Sequence, residues 1–482
     1  MRVTTERAER IAFTQRRPQL DQRTESGSRY FDRRFWVIVL SFSVAVRVAV
    51  AFYYGSSVPT LQDDYSYSQL AWRLATGHGY SFDRAWYPFT PQDTPTAHWS
   101  FLYTALVAGV YRVVGYQPLL VRLFSGFVTG ILLPLVIFGL TRRVFPAHPV
   151  IAFWAAAVGA GYAYFILFAA RILTEGLYMI ALLWSLDRAL VVSHDLHSSR
   201  SVPLQHSLQL GLSLGLATLL RQVILPWIPV LLGWLMLQLL TAHEFRATRL
   251  RVTRDVLRGS RSLVLAGLTF VACIVPWTVR NHAVYGEFLL LNSSAGYAMY
   301  SAQHPVHGTR FQEHAAAPLP EELRDEKALT EPAWDRALME RGIGFVLTDP
   351  VRYLKLSASR ILDFFEFWPT RDSPLMHNIG RLVSFTMLLP LMVYGSVLSL
   401  KQSLAQARNL VDLAQDPSVL VLGFYAFYTL LHVLTWAMPR YRVPLDAVIM
   451  PYAALGISDL YRRLQGRMGW LPRSGHPLHE SN

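Results

Sequence analysis

Two adjacent acidic residues, Asp63 and Asp64, follow the first long apolar stretch of the chain. A carboxylate beside a second carboxylate, close to a low-dielectric boundary, has its proton affinity raised. A carboxylate of raised proton affinity is suited to act as a general base near neutral pH. The alternative is that the pair only caps a helix that begins near Tyr67. The pair is therefore the first candidate for a catalytic group.

A third acid, Glu175, precedes another apolar stretch and follows Thr174. An acid at the start of a helix is favoured by the helix dipole, so a capping role is the alternative here too. Acids from two separate loops on the same side of a membrane can instead converge on one cavity. The sequence predicts that Glu175 is a second catalytic acid beside Asp63.

Several arginines lie at the predicted outer ends of apolar stretches. Because Lys and Arg are usually enriched in cytoplasmic loops, these outer arginines need another explanation. Arg binds phosphate through two parallel hydrogen bonds and keeps its charge. The alternative is that each side chain reaches toward lipid headgroups. The candidates for binding a donor phosphate are Arg221, Arg280, Arg440 and Arg442.

The first outer loop contains two further polar candidates, Tyr67 and His98, which we expect to contact an acceptor or to shape the loop. His78 lies in the same loop, but the 15 histidines of the chain are scattered and form no tight ligand pattern. No cofactor is favoured, and a divalent metal is left open.

The elements that must position these residues are predicted to be membrane helices. The chain is 52% hydrophobic and only 16% charged, whereas a soluble domain carries about 25% charged residues. The apolar residues fall in runs of about 20, the length that crosses a hydrocarbon core of about 30 Å. The sequence predicts an all-α polytopic membrane protein with about ten spans, near 35–54, 121–141, 149–169, 175–194, 207–221, 223–240, 262–281, 380–400, 417–437 and 443–462.

The net charge of +13 is compatible with nucleic-acid binding, but its distribution argues against that partner. The basic residues cluster in short segments between apolar runs, most densely in 246–261, as is typical of cytoplasmic loops. The partner predicted from this pattern is the lipid bilayer. With ten spans, both termini are predicted to lie in the cytoplasm. Asp63 and Glu175 are then predicted to lie on the opposite side of the inner (plasma) membrane.

The predicted organisation has five parts. Two long outer segments are expected to contain helices. One helix of the first segment ends at Gly115, and the second segment has a helix on either side of the turn Asp349-Pro350. The parts are a cytoplasmic basic tail at 1–34, an N-terminal membrane module at 35–281 that includes outer loop 55–120, an outer loop with amphipathic helices at 282–379, C-terminal membrane helices at 380–462, and a cytoplasmic tail at 463–482.

Six short motifs occur along the chain: Asp63-Asp64 with Tyr67, Ala71 and Gly77; Pro95-Thr96-Ala97; Leu173-Thr174-Glu175; Gly215-Leu216-Ala217-Thr218-Leu219-Leu220-Arg221; Pro276-Trp277-Thr278-Val279-Arg280-Asn281 followed by Gly286; and Arg440-Tyr441-Arg442-Val443-Pro444. In order and spacing they resemble the bacterial GT-C membrane glycosyltransferases. The members that they resemble are those similar to dolichyl-phosphate-mannose protein mannosyltransferases and to the lipid A aminoarabinose transferase. The resemblance covers about residues 35–460.

The resemblance implies a GT-C helical bundle with a catalytic Asp in the first outer loop, at Asp63. Whether Asp63 or Asp64 is the base stays open. It further implies a second acid at Glu175, arginines that hold the donor phosphate, and a sugar on a polyprenyl phosphate as donor. The predicted reaction is an inverting transfer to a glycolipid, a polysaccharide or a protein. Alternatives are a transporter or flippase for a lipid-linked substrate and a scaffold of the cell envelope.

Overall fold

The computed structural model describes residues 23–59, 63–197, 202–244, 249–312, 317–321, 323, 329–371 and 373–466. Over these ranges the chain is largely helical, and the only β-structure is two isolated bridges. Of the predicted cytoplasmic tails, 1–34 and 463–482, residues 1–22 and 467–482 lie outside the described residues. The all-α prediction is confirmed for the described part of the chain.

The N-terminal helices follow the predicted apolar runs and the predicted first outer loop. They are α1 (Arg23–Tyr54), α2 (Asp63–Ala75), α3 (Phe101–Val114), α4 (Pro118–Val144), α5 (Pro149–Gly161), α6 (Ala163–Ala169), α7 (Glu175–His197), α8 (Leu204–Leu220), α9 (Trp227–Glu244) and α10 (Arg249–Tyr285). A single 3₁₀ turn, Gln222–Ile224, connects α8 to the segment before α9.

The later helices include the predicted outer pair on either side of Asp349-Pro350. They are α11 (Ala295–Gln303), α12 (Glu331–Thr348), α13 (Pro350–Phe364), α14 (Leu375–Arg381), α15 (Met387–Gln406), α16 (Leu410–Gln415), α17 (Pro417–Leu434) and α18 (Pro439–Leu464). A 3₁₀ turn, Pro305–His307, follows α11, and a π-helical turn, Leu382–Thr386, joins α14 to α15.

Seven of the described helices are long and apolar enough to cross a membrane, and an eighth span results if α5 and α6, which are bent by 54°, form one span. Every one of the ten predicted runs contains a helix. The number of spans is smaller than ten because two of these helices are short: α8 has 17 residues, and the apolar part of α9 is Trp227–Thr241. At about 1.5 Å per residue, 17 residues rise about 26 Å, less than a hydrocarbon core of about 30 Å. The chain is a multi-pass integral membrane protein.

The most central of these helices is α18, whose apolar window is 89% buried, against 22% in α1 and in α10. Helix α18 packs against α5 and α15, whereas α4 packs between α1 and α7, and α8 packs between α7 and α10. The ends of the helices can be matched through their polar contacts. Asp195, near the end of α7, pairs with His206, near the start of α8, at 2.6 Å. The candidate site lies at the opposite ends of α7 and α8, where Glu175 begins α7 and Arg221 follows α8.

Close packing of α15 on α18 depends on Gly395. A Cβ added there would lie 1.8 Å from the carbonyl oxygen of Tyr452. We expect Gly395→Ala to destabilise the protein by about 1–3 kcal/mol, because the two helix backbones must separate to admit the methyl group. The measurement is the folded fraction after heating in detergent. Gly423→Ala in α17 is the matched control, since no atom lies within 4 Å of its added Cβ. Equal melting of both variants would contradict the close-packing argument.

Candidate active site

The two adjacent acids at the start of α2 have different surroundings. Successive residues on an α-helix point about 100° apart. Asp64 is 2% exposed, its Oδ2 lies 2.5 Å from Arg171 Nη2, and its Oδ1 accepts a hydrogen bond of 3.2 Å from the Ile172 backbone N–H. The Asp63 side chain is 38% exposed and lines a cavity of about 200 Å³. Of the pair, only Asp63 is placed to meet a substrate in that cavity.

Four of the predicted site residues meet in one group, here called the acid–arginine cluster: Asp63, Glu175, Arg221 and Arg440. Arg440 Nη1 lies 2.5 Å from Asp63 Oδ2, and Arg440 Nε donates to Glu175 Oε1. Arg221 Nη1 lies 2.6 Å from the same Glu175 oxygen. The cluster contains two acids and two arginines, so its formal charges balance.

Each member of the cluster stands at the end of a different helix. Asp63 and Glu175 are the first residues of α2 and α7, where negative charge is favoured by the helix dipole. Arg221 follows α8 in an extended conformation, and Arg440 is the second residue of α18. A guanidinium at a helix N-terminus is unfavourable on its own. The carboxylates of Asp63 and Glu175 compensate the charge of Arg440.

The remaining wall of the cavity consists of neutral polar and aromatic side chains and the aliphatic Val223. Burial lowers the pKa of His98 to about 4, so its ring is neutral near pH 7. His98 Nδ1 lies 3.2 Å from the Ser293 carbonyl oxygen, which can only accept, so Nδ1 carries the proton and Nε2 is an acceptor. Burial raises the pKa of Tyr67 to about 12, so its hydroxyl stays protonated. The other lining residues are Trp99, Ser100, Thr174, Gln222, Val223, Asn292, Ser294 and Tyr441.

The other two arginines predicted to bind donor phosphate lie outside this cavity. Arg442 is 0% exposed, pairs with Asp446 at 3.2 Å and donates to the Phe364 carbonyl at 2.9 Å. Two residues correspond to about 200° of rotation on a helix, so Arg440 and Arg442 point in nearly opposite directions. Arg280 lines a second cavity of about 470 Å³, where its guanidinium lies 4.5 Å from the centre of the Trp277 ring.

Sequence reasoning missed several residues that build the site. Arg171, the partner of Asp64, lies four residues before Glu175 in the same loop. The rule that singled out the other arginines, a positive charge at the outer end of a span, applies to Arg171 equally. Gln222, Asn292 and Ser294 carry no comparable signal, because they reach the cavity only through the folding of two distant loops onto each other.

A divalent metal site needs several oxygen, nitrogen or sulfur ligands that converge on one point. Among the residues that the structure describes, no three His, Cys, Asp or Glu side chains are grouped so that they could hold an ion. Arg440 bonds to both Asp63 and Glu175, and its positive charge stands between the carboxylates that would have to bind a cation. The donor set as arranged here does not fit a divalent metal.

The fold is similar to that of solved membrane proteins. The archaeal oligosaccharyltransferase AglB from Archaeoglobus fulgidus, in complex with an inhibitory peptide and a dolichol-phosphate, matches at a TM-score of 0.54 and 16% identity, over 92% of this chain and 53% of that chain. The Archaeoglobus fulgidus oligosaccharyltransferase in the apo form matches at a TM-score of 0.56 and 15% identity, over 92% and 53%. Its complex with Zn and sulfate matches at 0.53 and 15%, over 90% and 50%.

The chain thus spans about half the length of the oligosaccharyltransferase that it matches. No protein-family model matches the chain, and no curated protein matches it. At identities near 15% the likeness concerns the fold. The predicted similarity is confirmed at that level: the chain has the fold of GT-C membrane glycosyltransferases.

Proposed function

We propose that this protein is an inverting glycosyltransferase that moves a sugar from a polyprenyl-phosphate donor to a glycolipid, polysaccharide or protein acceptor. The observation that carries the proposal is the acid–arginine cluster at the mouth of a GT-C bundle, with Asp63 open to the cavity. The similar oligosaccharyltransferase was solved with a dolichol-phosphate and a peptide, which supports a lipid-linked donor and keeps a protein among the acceptors. We further propose that both termini are cytoplasmic and that the cluster faces the periplasm or the cell exterior.

In the proposed reaction, an acceptor hydroxyl or amine attacks the anomeric carbon of the donor sugar. A bond forms between the acceptor atom and that carbon, while the bond from the carbon to the phosphate oxygen breaks and its electron pair leaves with the phosphate. Asp63 takes the proton of the acceptor. The sugar passes through an oxocarbenium-like state, as in glycoside hydrolysis. The leaving polyprenyl phosphate is a stable anion, so no general acid is needed.

The charge balance of the cluster fits this reaction. The donor is a phosphodiester with one negative charge, and the departing phosphate monoester gains a second. As Asp63 becomes protonated it loses its own negative charge, so the cluster changes from neutral to positive when the phosphate becomes more negative. Arg440, which bonds to Asp63 in the structure, would then be attracted to the new charge on the phosphate. Fixed charges that face developing charge are the usual means of stabilising such transition states.

Arg221 and Arg440 are the arginines that we assign to the donor phosphate, because both line the cavity. Glu175 is 0% exposed and accepts from both of them through Oε1. This contact holds the two guanidinium groups side by side. A residue so enclosed is poorly placed to collect a proton from an acceptor, so we assign Glu175 to orienting the arginines and Asp63 to the base.

The test is transfer from donor lipids in vesicles that contain the purified protein. Polyprenyl-phosphate sugars labelled with ¹³C at the anomeric carbon are supplied with native membrane extract, and the product is analysed by NMR. We expect the label to leave the lipid pool and to appear with the opposite anomeric configuration. Retained configuration would contradict a single displacement. Movement of intact donor across the bilayer, with no product, would instead identify a flippase.

A further inference from the structure

Glu331, the first residue of α12, is a buried carboxylate that the proposed reaction does not use. The residue is 9% exposed, and no described Lys, Arg or His forms an ion pair with it. Its Oε1 accepts hydrogen bonds from the Ala97 backbone N–H at 2.8 Å, from the Thr96 hydroxyl at 3.2 Å and from the Ser293 hydroxyl. A buried charge is costly unless such donors surround it. Here three donors, from two segments that are far apart in the sequence, converge on one carboxylate oxygen.

The two segments that Glu331 joins form one wall of the candidate cavity. The first continues from Thr96-Ala97 into His98, Trp99 and Ser100, and the second contains Asn292 and Ser294 on either side of Ser293. They also bond to each other directly, because the Ser293 N–H donates to the Ala97 carbonyl at 3.1 Å and His98 Nδ1 lies 3.2 Å from the Ser293 carbonyl. Glu331 stands behind this wall and is not among the residues that line the cavity.

The chemistry of this wall differs from that of the acid–arginine cluster. Its polar members are neutral: the His98 ring, the Ser100 and Ser294 hydroxyls and the Asn292 amide. Neutral donors and acceptors complement hydroxyl and amine groups, whereas the anionic phosphate of a donor is better matched by Arg221 and Arg440. If the cluster holds the donor, the neutral wall is the part of the cavity left for the acceptor.

We propose that Glu331 is a positioning residue, which holds the segments around Ala97 and Ser293 together and so sets the shape of the acceptor side of the cavity. The proposal rests on the transferase function proposed above. It predicts that the shape of the wall depends on the three hydrogen bonds to Oε1 and not on the negative charge itself. An amide oxygen can accept from the same three donors, so Gln is expected to replace Glu331, and Ala is not.

The first measurement is hydrogen exchange in detergent, which needs no activity. We compare wild type with Glu331→Ala, Glu331→Gln and the control Glu340→Ala, an exposed acid on the same helix. Backbone amides in 96–100 and 290–296 should exchange at least about tenfold faster in Glu331→Ala, because the bonds that close the two segments are lost. The other two variants should match wild type. Unchanged exchange in Glu331→Ala would overturn the proposal.

The second measurement is sugar transfer with native membrane extract as the source of acceptor. In Glu331→Ala the amount of extract needed for half-maximal transfer should rise several-fold, while the half-saturating donor concentration stays unchanged. In Glu331→Gln both quantities should match wild type. If donor and acceptor saturation shift together, the role is structural and the positioning role is overturned. If wild type transfers no sugar, the proposed function fails, and the exchange experiment still decides whether Glu331 joins the two segments.

Discussion

Replacing Asp63 by Asn is expected to lower the rate of sugar transfer by about 10²- to 10⁴-fold, the usual contribution of a general base. Asn has nearly the same shape and its amide oxygen can still accept from Arg440, which lies 2.5 Å from Asp63. It cannot take up the proton of the acceptor. The Asp63 side chain is 38% exposed, and Arg440, which is 18% exposed, keeps Glu175 as a carboxylate partner in the variant. We therefore expect normal folding.

Donor binding should respond differently from rate in this variant. The cluster is neutral with two acids and two arginines, and loss of the Asp63 charge leaves it positive. A positive cluster attracts the donor phosphate at least as strongly as a neutral one. The half-saturating donor concentration should then be unchanged or lower while the maximal rate collapses.

The matched control is Asp83→Asn, which changes an exposed acid of the same outer loop. It should leave both the rate and the donor saturation unchanged. Full activity of Asp63→Asn would remove Asp63 as the base. Loss of donor binding in that variant would show that the carboxylate is needed to hold the arginines in place, which would contradict the charge argument.

The sequence predicted the helices of this protein well, because membrane thickness imposes a run of about 20 apolar residues on each span. It also placed the charged candidate residues at helix ends on one side of the membrane. Asp63, Glu175, Arg221 and Arg440 interrupt or border apolar runs on one predicted side, and the structure brings their side chains into contact. Charges at such positions are costly without a partner, but the same reasoning also selected Arg280 and Arg442, which do not line this cavity.

The direction in which a side chain points could not be predicted in the same way. One residue of helix rotation, about 100°, separates Asp63 from Asp64, and two separate Arg440 from Arg442. Hydrophobic patterning does not determine register that finely at a helix end, where polar residues face both the cavity and the protein interior. The 54° bend between α5 and α6 was likewise not predicted, since the apolar pattern indicated one span over 149–169.

Contacts between distant loops could not be predicted from the sequence either. The wall formed by His98 and Asn292 depends on hydrogen bonds between segments about two hundred residues apart, including one from the Asn292 amide to the His98 carbonyl at 3.4 Å. Neither segment has an apolar periodicity that would place it. In the sequence, Glu331 is an acid that follows Thr330 at the start of a helix, a common position for an acid. Only the fold shows that its carboxylate joins the segments around Ala97 and Ser293.

Asp64→Asn is expected to produce the opposite result to Asp63→Asn, with a loss of stability of about 3–5 kcal/mol, as when one partner of a buried ion pair is removed. Asp64 is 2% exposed and Arg171 14% in their side chains, and the substitution removes the Asp64 charge from this largely buried ion pair. The Asn oxygen can keep the 3.2 Å bond from the Ile172 N–H, which places the expected loss at the lower end of that range. The measurement is thermal unfolding in detergent.

The double variant Asp64→Asn/Arg171→Gln separates the ion pair from general disruption of the loop. Removing both charges should recover part of the lost stability, because the guanidinium that faced the Asp64 carboxylate is gone as well. Transfer per folded molecule should stay within several-fold of wild type in Asp64→Asn, since Asp63 keeps its place at the cavity. A variant that melts like wild type yet transfers no sugar would instead make Asp64 the base. The two adjacent acids are thus distinguished by which property each substitution removes.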